Sequence, residues 1–461
     1  MPLSNAQMRD IETVAHPYTN LATLRETGSV MIERGEGIYV WDSDGRKLIE
    51  GLAGLWCTSL GYSNRELIEA ATAQLERLPY SHIFGGKAHD PSVDLAETLK
   101  EIAPVPTSKV FFANSGSEAN DTQVKLVWYM NNALGRPRKK KIISRIRAYH
   151  GVTVASASLT GLPANHTDFD LPIAGILHTD CPHHYRFAEP GESEEEFATR
   201  LVKNLEELII REDPDTIAAF IAEPIMGAGG VIVPPRTYFP KIQQVLKKYD
   251  IYFIGDEVIC GFGRTGQWFG CQALDMQPDT ISVAKALSSA YLPISAVLIP
   301  EQMYGALLIE SRKTGTFGHG YTYSGHPVAA AVANKTLEIY RRDNIVGHVQ
   351  AVAPTFQRRL HALSDHPLVG EARGMGLIGA VELVADKASK RSFDPAMMVA
   401  SRCVANAHQE GLIVRNLAND GVAICPPLII AQDEVETLFD RLERALNQTL
   451  HWVEKEGLHA A

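Results

Sequence analysis

The chain has 461 residues, of which 45% are hydrophobic and 21% charged, and its formal net charge is −10. This length exceeds what one small core can organise, so two or more packed domains are expected. The acidic balance argues against nucleic acid as the main partner, because phosphate binding requires a basic surface.

The six cysteines are scattered, without metal-binding spacing, and predict reduced thiols and no metal site. No stretch is long and apolar enough to span a membrane, and the N-terminus lacks the apolar core of a signal peptide. We therefore expect a cytoplasmic protein that binds neither membrane nor nucleic acid.

The predicted elements begin with a hairpin at residues 38–47, where Asp44-Gly45 supplies the turn signal. From about residue 109 to 300, short apolar runs alternate with helical stretches. Strands are predicted at 109–114, 141–146 and 216–222 and around Phe253, Val283 and Val297, with helices at 117–133 and 238–249. Alternation of this kind, with strands apolar almost throughout, predicts an α/β fold with a large, mostly parallel sheet covered by helices.

Beyond Pro327 the pattern changes to helices at 328–341, 351–363, 400–410 and 434–455, with sheet at 369–384. We expect a large central domain at residues 61–330. A smaller α+β domain is expected from both chain ends, residues 1–60 and 331–461.

The most informative residue is Lys285, which lies within the apolar run 280–287. An ammonium in apolar surroundings is costly unless it is paired or its pKa falls. A lysine with a depressed pKa can form a Schiff base with an aldehyde. Asp256 ends the preceding apolar run, and an acidic residue there suits the ring nitrogen of pyridoxal phosphate. A surface lysine and a helix-capping aspartate are the alternative interpretation of either residue alone.

Three further segments follow predicted strands. Residues 114–120 (Asn-Ser-Gly-Ser-Glu-Ala-Asn) combine glycine, hydroxyls and a helix N-terminus, which suits a phosphate or an ordinary helix cap. Tyr149-His150-Gly151 offers an aromatic ring that stacks on a cofactor or packs on its neighbours. Glu223, at the start of 223–230, lies where ligands of α/β proteins bind, although the glycines there also fit a plain loop.

Taken together, these blocks resemble the class III aminotransferases of the fold-type I pyridoxal phosphate enzymes, over nearly the full chain. Within that class the chain looks most like the ω-amine:pyruvate transaminases. The matching blocks are 115–120, 149–151, Glu223-Pro224, 256–258, 261–266, Lys285 and 319–327.

The resemblance implies a large seven-stranded sheet domain that binds the cofactor at residues 61–330, and a role for each matching residue. Lys285 is expected to hold the cofactor as a Schiff base and to move the proton during transamination. Asp256 is expected to keep the ring nitrogen protonated. The other expected cofactor contacts are Tyr149 and Val258 on the two ring faces, Ser115, Gly116 and Ser117 at the phosphate, and His150 and Glu223 nearby. Thr322 is expected to reach the phosphate of a partner subunit in a homodimer, with a tetramer left open.

Two departures from the family pattern bear on the pocket. Ala286 follows the lysine where glycine is frequent, and its methyl can crowd the backbone there. Ala228 stands where members acting on 4-aminobutyrate or ornithine usually carry a second glutamate. Arg415, the expected carboxylate-binding arginine, must then be exposed, differently paired or mobile. Trp56 matches the amine:pyruvate branch, and Phe84 and Ile259 are further pocket candidates, with plain core packing as the alternative for all three.

The expected reaction moves an amino group from a primary amine or ω-amino acid to a 2-oxo acid such as pyruvate, in a ping-pong cycle. The alternatives on this scaffold are a 4-aminobutyrate or diamine aminotransferase, an aminomutase, a racemase and a decarboxylating transaminase. A non-catalytic relative and a nicotinamide-dependent dehydrogenase are further alternatives, and no G-x-G-x-x-G fingerprint supports the last.

Overall fold

The computed structural model describes residues 3–458, so residues 1–2 and 459–461 of the predicted small domain lie outside it. Its strands are β1 (Ile32–Glu36), β2 (Tyr39–Asp42), β3 (Lys47–Glu50), β4 (Lys109–Ala113), β5 (Lys141–Arg145), β6 (Ile176–Thr179), β7 (Ile217–Ala222), β8 (Tyr252–Asp256), β9 (Thr280–Val283), β10 (Ser295–Ile299), β11 (Val369–Met375), β12 (Ile378–Leu383), β13 (Leu412–Ile413), β14 (Arg415–Leu417) and β15 (Gly421–Ile424).

The helices are α1 (Asn5–Thr13), α2 (Leu21–Thr27), α3 (Ala53–Trp56), α4 (Arg65–Arg77), α5 (Asp90–Ile102), α6 (Gly116–Ala133), α7 (Val154–Leu159), α8 (His184–Phe187), α9 (Glu194–Arg211), α10 (Tyr238–Lys248), α11 (Gly270–Ala273), α12 (Glu301–Thr314), α13 (Pro327–Arg342), α14 (Ile345–Ala362), α15 (Val399–Gln409) and α16 (Gln432–Lys455). None of the helices within residues 3–458 combines the length and apolarity needed to cross a membrane.

The central sheet has seven strands in the order β4-β10-β9-β8-β7-β5-β6. Six strands run parallel, and β10 is antiparallel to both of its neighbours, β4 and β9. All six residues of β7 are buried, as expected for a strand covered by helices on both faces. The predicted α/β fold with a large, mostly parallel, seven-stranded sheet is confirmed.

The two ends of the chain meet in a second sheet, ordered β1-β2-β3-β13. Here β13, from the C-terminal part, pairs in parallel with β3, and Ile413 lies opposite Glu50. A third sheet, β11-β12-β15-β14, completes the C-terminal part. Both chain ends thus contribute to one sheet, while the domain boundaries at residues 60 and 330 stay predictions.

Helix α14 begins at Ile345, six residues before the predicted start at residue 351. The Asn344 side chain caps it by accepting a hydrogen bond from the Gly347 N–H. The buried Ile345, Val349 and Val352 continue one apolar stripe through this first part. The helix also runs through Pro354, a residue that usually ends a helix, and this made the segment hard to predict.

The carboxyl ends of β5, β7, β8 and β9 lie at the same edge of the central sheet, because these strands are parallel neighbours. Tyr149, Glu223, Asp256 and Lys285 follow or end these strands. Ligands of α/β proteins bind at this edge.

Candidate active site

A cavity of about 140 Å³ lies at this edge of the sheet. Its lining consists of Gly116, Ser117, Asn120, Tyr149, His150, Gly151, Glu223, Asp256, Val258, Ile259 and Lys285. All of these except Asn120 and Gly151 are candidate site residues from the sequence. The blocks that are scattered over 170 positions of the chain therefore converge on one cavity.

Lys285 follows β9 and opens a single 3₁₀ turn that ends at Ser288. Burial lowers the pKa of its ammonium, and the carboxylate of Asp256 opposes that change. A lowered pKa leaves more of the free amine that attacks an aldehyde. The methyl of Ala286 is buried and its backbone needs no left-handed conformation, so this departure from glycine is accommodated.

Asp256, at the end of β8, accepts hydrogen bonds from three N–H groups. Its Oδ2 accepts from Asn120 Nδ2 and His150 Nδ1, both at 2.7 Å, and its Oδ1 accepts from the Val258 N–H at 3.1 Å. The carboxylate is thereby held in one orientation. Oδ1 keeps a free lone pair, because a carboxylate oxygen accepts two hydrogen bonds.

Residues 114–120, the segment predicted to bind a phosphate, lie at the N-terminus of the 18-residue helix α6. The Ser115 hydroxyl accepts from the Glu118 N–H at 3.1 Å and therefore caps the helix. Ser117 Oγ accepts from the Val152 N–H at 3.1 Å. Gly151 has φ +131°, and a side chain there would lie 2.4 Å from Ser117 Oγ, so only glycine allows this close approach. Gly116 and Ser117, with the free N–H groups of the helix, form an anion site.

Glu223 is fully buried, and burial raises the pKa of its carboxyl. Its Oε1 accepts from the backbone N–H of Tyr149 at 2.9 Å, and its Oε2 accepts from the Gly227 N–H at 3.0 Å. Glu223 thus fixes the position of the Tyr149 backbone. The Tyr149 hydroxyl interacts with the hydroxyl of Tyr18, to which the Asn165 Nδ2 donates at 2.6 Å. Tyr18 has no signal in the sequence that links it to this site.

Trp56 lies close to both Lys285 and Arg415, and Ile259 lines the cavity itself. The centre of the Trp56 ring is 5.8 Å from Lys285 Nζ and 5.6 Å from the Arg415 guanidinium carbon. Within residues 3–458 Arg415 forms no ion pair with a carboxylate, and burial lowers the pKa of its guanidinium. It is half-buried, and whether it is mobile, as Ala228 allows, stays a prediction.

Two predicted residues are not brought to this cavity by their own chain. Phe84 is 46% exposed, and its ring packs against Gly320. Thr322 lies on the same surface, where its carbonyl accepts from the Tyr80 hydroxyl at 2.7 Å. Neither of these two residues lines the cavity.

The cavity fits pyridoxal phosphate. The free lone pair of Asp256 Oδ1 suits a protonated ring nitrogen, the N-terminus of α6 suits a phosphate, and Lys285 supplies the amine. The large parallel sheet and this site define a pyridoxal phosphate-dependent transferase of fold type I.

The model of the class-III aminotransferase family matches residues 22–446, and the chain belongs to this family. It is a pyridoxal phosphate-dependent transaminase. Gamma aminobutyrate transaminase 3, chloroplastic, from Solanum lycopersicum is 53% identical over 427 residues, which are 92% of this chain and 82% of that protein. The omega transaminase from Pseudomonas jessenii in complex with PMP has a TM-score of 0.96 and 55% identity, and the match covers 98% of this chain and 99% of that one.

A further solved relative is a thermostable omega transaminase variant with a TM-score of 0.95 and 54% identity over 97% of this chain and all of that one. Its changes at one tryptophan, one phenylalanine and one arginine were engineered for the synthesis of bulky amines. These positions have the same spacing along that chain as Trp56, Phe84 and Arg415 have here.

Proposed function

We propose that the protein transfers an amino group from a primary amine or ω-amino acid to pyruvate, giving alanine and an aldehyde or ketone, and that neutral amines without a carboxylate are the preferred donors. The observation that carries this proposal is Arg415, a half-buried cation beside the large aromatic Trp56 that has no carboxylate partner within residues 3–458. A substrate carboxylate can pair with such an arginine, because no glutamate competes at position 228.

The proposed roles of the residues follow from their contacts. Bound pyridoxal phosphate supplies an electron sink for the bond that breaks at the substrate carbon. Asp256, oriented by Asn120 and His150, keeps a proton on the ring nitrogen. Lys285 carries the proton to and from the substrate carbon as a free amine. Tyr149, whose backbone position Glu223 fixes, would stack on the ring of the bound cofactor.

The direct test is product analysis with purified protein, 1-phenylethylamine as donor and pyruvate as acceptor. A transaminase of the proposed type makes alanine and acetophenone in equal amounts. Formation of neither product, with an enzyme that does transaminate 4-aminobutyrate, contradicts the neutral-amine proposal. Rearrangement, racemisation or release of carbon dioxide without alanine identifies one of the other chemistries of the scaffold.

A 4-aminobutyrate transaminase is the second candidate function. It is supported by the plant relatives, which include probable gamma-aminobutyrate transaminase 3, mitochondrial, of Oryza sativa subsp. indica, 54% identical over 434 residues, 94% of this chain and 85% of that protein. A panel of donors at fixed pyruvate separates the candidates, because the two functions predict opposite rankings of 4-aminobutyrate and 1-phenylethylamine by kcat/KM. These relatives are named as chloroplastic and mitochondrial proteins, so the cytoplasmic localisation of this chain stays a prediction.

Arg415→Ala is expected to raise the KM for pyruvate by about 10- to 100-fold, the effect of losing one charged hydrogen-bonded pair. The KM for 1-phenylethylamine should change by less than about threefold, because a neutral amine has no carboxylate to lose. Initial rates with each substrate varied in turn measure both constants.

Arg402→Ala is the matched control, because the Arg402 guanidinium carbon also lies 5.6 Å from a tryptophan ring centre, that of Trp452. Arg402 is exposed on α15 and should leave both constants unchanged. Equal increases in both KM values in Arg415→Ala would refute the proposal that Arg415 binds the pyruvate carboxylate.

We propose a homodimer in which Phe84 and Thr322 reach the site of the partner subunit. Support comes from their exposure: Phe84 packs against Gly320 at the surface, Thr322 is exposed nearby, and neither residue lines the chain's own cavity. Mixing inactive Lys285→Ala chains with Thr322→Ala chains tests this. Hybrid dimers should hold one intact site each and recover activity, whereas a monomer recovers none.

A further inference from the structure

The segment that presents Trp56 to the pocket is unusually strained. Ala53, Gly54 and Trp56 have φ values of +50°, +66° and +60°. Side chains with a Cβ rarely adopt this region, and each such residue costs about 1–3 kcal/mol of conformational strain. Strain of this kind persists only where surrounding contacts hold the backbone in place.

Glu50 provides such a contact at the start of the segment. It is 6% exposed, and its Oε1 accepts from the Leu52 N–H at 3.0 Å. Burial raises the pKa of this carboxyl to about 7, and only the N–H groups of Leu52 and Gly54 oppose the change. Within residues 3–458 this carboxyl forms no ion pair, and an acid without a charged partner is costly to bury.

Backbone hydrogen bonds connect this part of the loop to Trp56. The Trp56 N–H donates to the Leu52 carbonyl at 2.9 Å, and the Cys57 N–H donates to the Ala53 carbonyl at 2.9 Å. Leu52, which Glu50 holds directly, therefore holds Trp56. The tryptophan ring itself is buried, with 3% exposure.

Glu50 also lies between the chain segment that leads to Trp56 and the chain segment that leads to Arg415. It is the last residue of β3 and pairs with Ile413 of β13, two positions before Arg415. The chain from Glu50 leads to Trp56, and the chain from Ile413 leads to Arg415, whose guanidinium carbon lies 5.6 Å from the Trp56 ring centre. The Gly51 backbone approaches the Ile413 carbonyl so closely that an added Cβ would lie 2.6 Å from it.

We propose that Glu50 is a positioning residue that holds Trp56 against Arg415 and thereby limits the size of the amine donor. The inference rests on the proposed function and adds to it the residue that sets donor size. Glu50 acts through the loop, since it neither lines the cofactor cavity nor touches the reacting atoms.

A double-mutant cycle tests this positioning role. Glu50→Ala is made in the wild type and in Trp56→Gly, and kcat/KM is measured for isopropylamine and for 1-phenylethylamine. We expect Glu50→Ala to raise the ratio of bulky to small donor by about tenfold when Trp56 is present, and by less than about twofold in Trp56→Gly. Glu50→Gln keeps an acceptor for the Leu52 N–H and should restore the wild-type ratio within about threefold.

Glu50→Met is a second test variant, because it keeps the side-chain length and removes the acceptor. We expect it to raise the ratio of bulky to small donor as Glu50→Ala does. Glu257→Ala is the matched control. Glu257 is a buried carboxyl whose pKa is also raised to about 7 and which accepts two backbone N–H groups, but far from this loop in the chain. Its loss should destabilise the protein without changing the donor ratio.

Hydrogen exchange supplies a measurement that needs no activity. Residues 51–59 should exchange faster in Glu50→Ala than in the wild type, with no such change in Glu257→Ala. Equal changes of the donor ratio in both backgrounds, or an unchanged ratio in both Ala and Met variants, would overturn the proposal. If the wild type makes no alanine, the proposed function is rejected and the donor ratio cannot be measured. Hydrogen exchange then tests Glu50 by itself, because unchanged exchange of residues 51–59 in Glu50→Ala rejects its positioning role.

Discussion

Lys285→Ala is expected to abolish transamination, with kcat reduced by at least about 10³-fold, because no other amine can replace both the covalent anchor and the proton carrier. Its ammonium has a pKa lowered by burial and faces the cavity that holds Asp256. The purified wild type should be yellow from the cofactor that it holds, and Lys285→Ala should lose that colour. Absorbance spectra and alanine formation measure the two effects.

Lys247→Ala is the control for this experiment, because Lys247 is an exposed residue near the end of α10, away from the cavity. It should keep both colour and rate. A colourless wild type that gains no absorbance with added pyridoxal phosphate would contradict the proposed role of Lys285. So would a Lys285→Ala variant that keeps its rate.

The fold was predictable where burial on both faces leaves its mark on the sequence. The run Ile217–Ala222 is apolar throughout because helices cover both faces of the sheet at β7. The short edge strand Ile176–Thr179 was missed, since its His178 and Thr179 interrupt any apolar run. The direction of Ser295–Ile299 was also not accessible, because an antiparallel strand in a covered sheet has the same composition as a parallel one.

The candidate site was predictable to the extent that each residue ends a strand or begins a helix. Asp256 and Lys285 have such positions, and both lie in the cavity. The contact of Asp256 with Asn120 was not predictable, because it joins two residues 136 positions apart through the fold. Nor could sequence reveal that Phe84 lies outside the chain's own cavity, since an aromatic residue in a loop fits a pocket or a subunit surface equally well.

The likeness in fold and cofactor site does not extend to the substrate. Relatives that are named gamma aminobutyrate transaminases and omega transaminases are 53% and 55% identical to this chain over the aligned residues. Because both groups of relatives match the chain in fold and family, we expect the side chains around the pocket to distinguish the substrates. The Arg415 guanidinium carbon lies 5.6 Å from the Trp56 ring centre, and the loop that Glu50 orders determines how close these two residues stand.

Asp256→Asn is expected to lower kcat/KM by about 10²- to 10³-fold, the size of effect seen when one fixed electrostatic contact is removed from an active site. The amide cannot stabilise a proton on the ring nitrogen as a carboxylate does, so the bound cofactor becomes a weaker electron sink. The loss should appear for neutral amines and for 4-aminobutyrate alike, because Asp256 acts on the cofactor and not on either substrate. Steady-state rates with both donors measure it.

Glu257→Gln is the control, since this neighbouring carboxyl is also buried but points to the N–H groups of Gly270 and Cys271 instead of the cavity. It should keep most of the wild-type rate. A loss in Asp256→Asn that is confined to one donor would assign Asp256 to substrate binding. An equal loss in both carboxyl variants would mean that disruption of the fold at β8, and not the charge beside the ring nitrogen, lowers the rate.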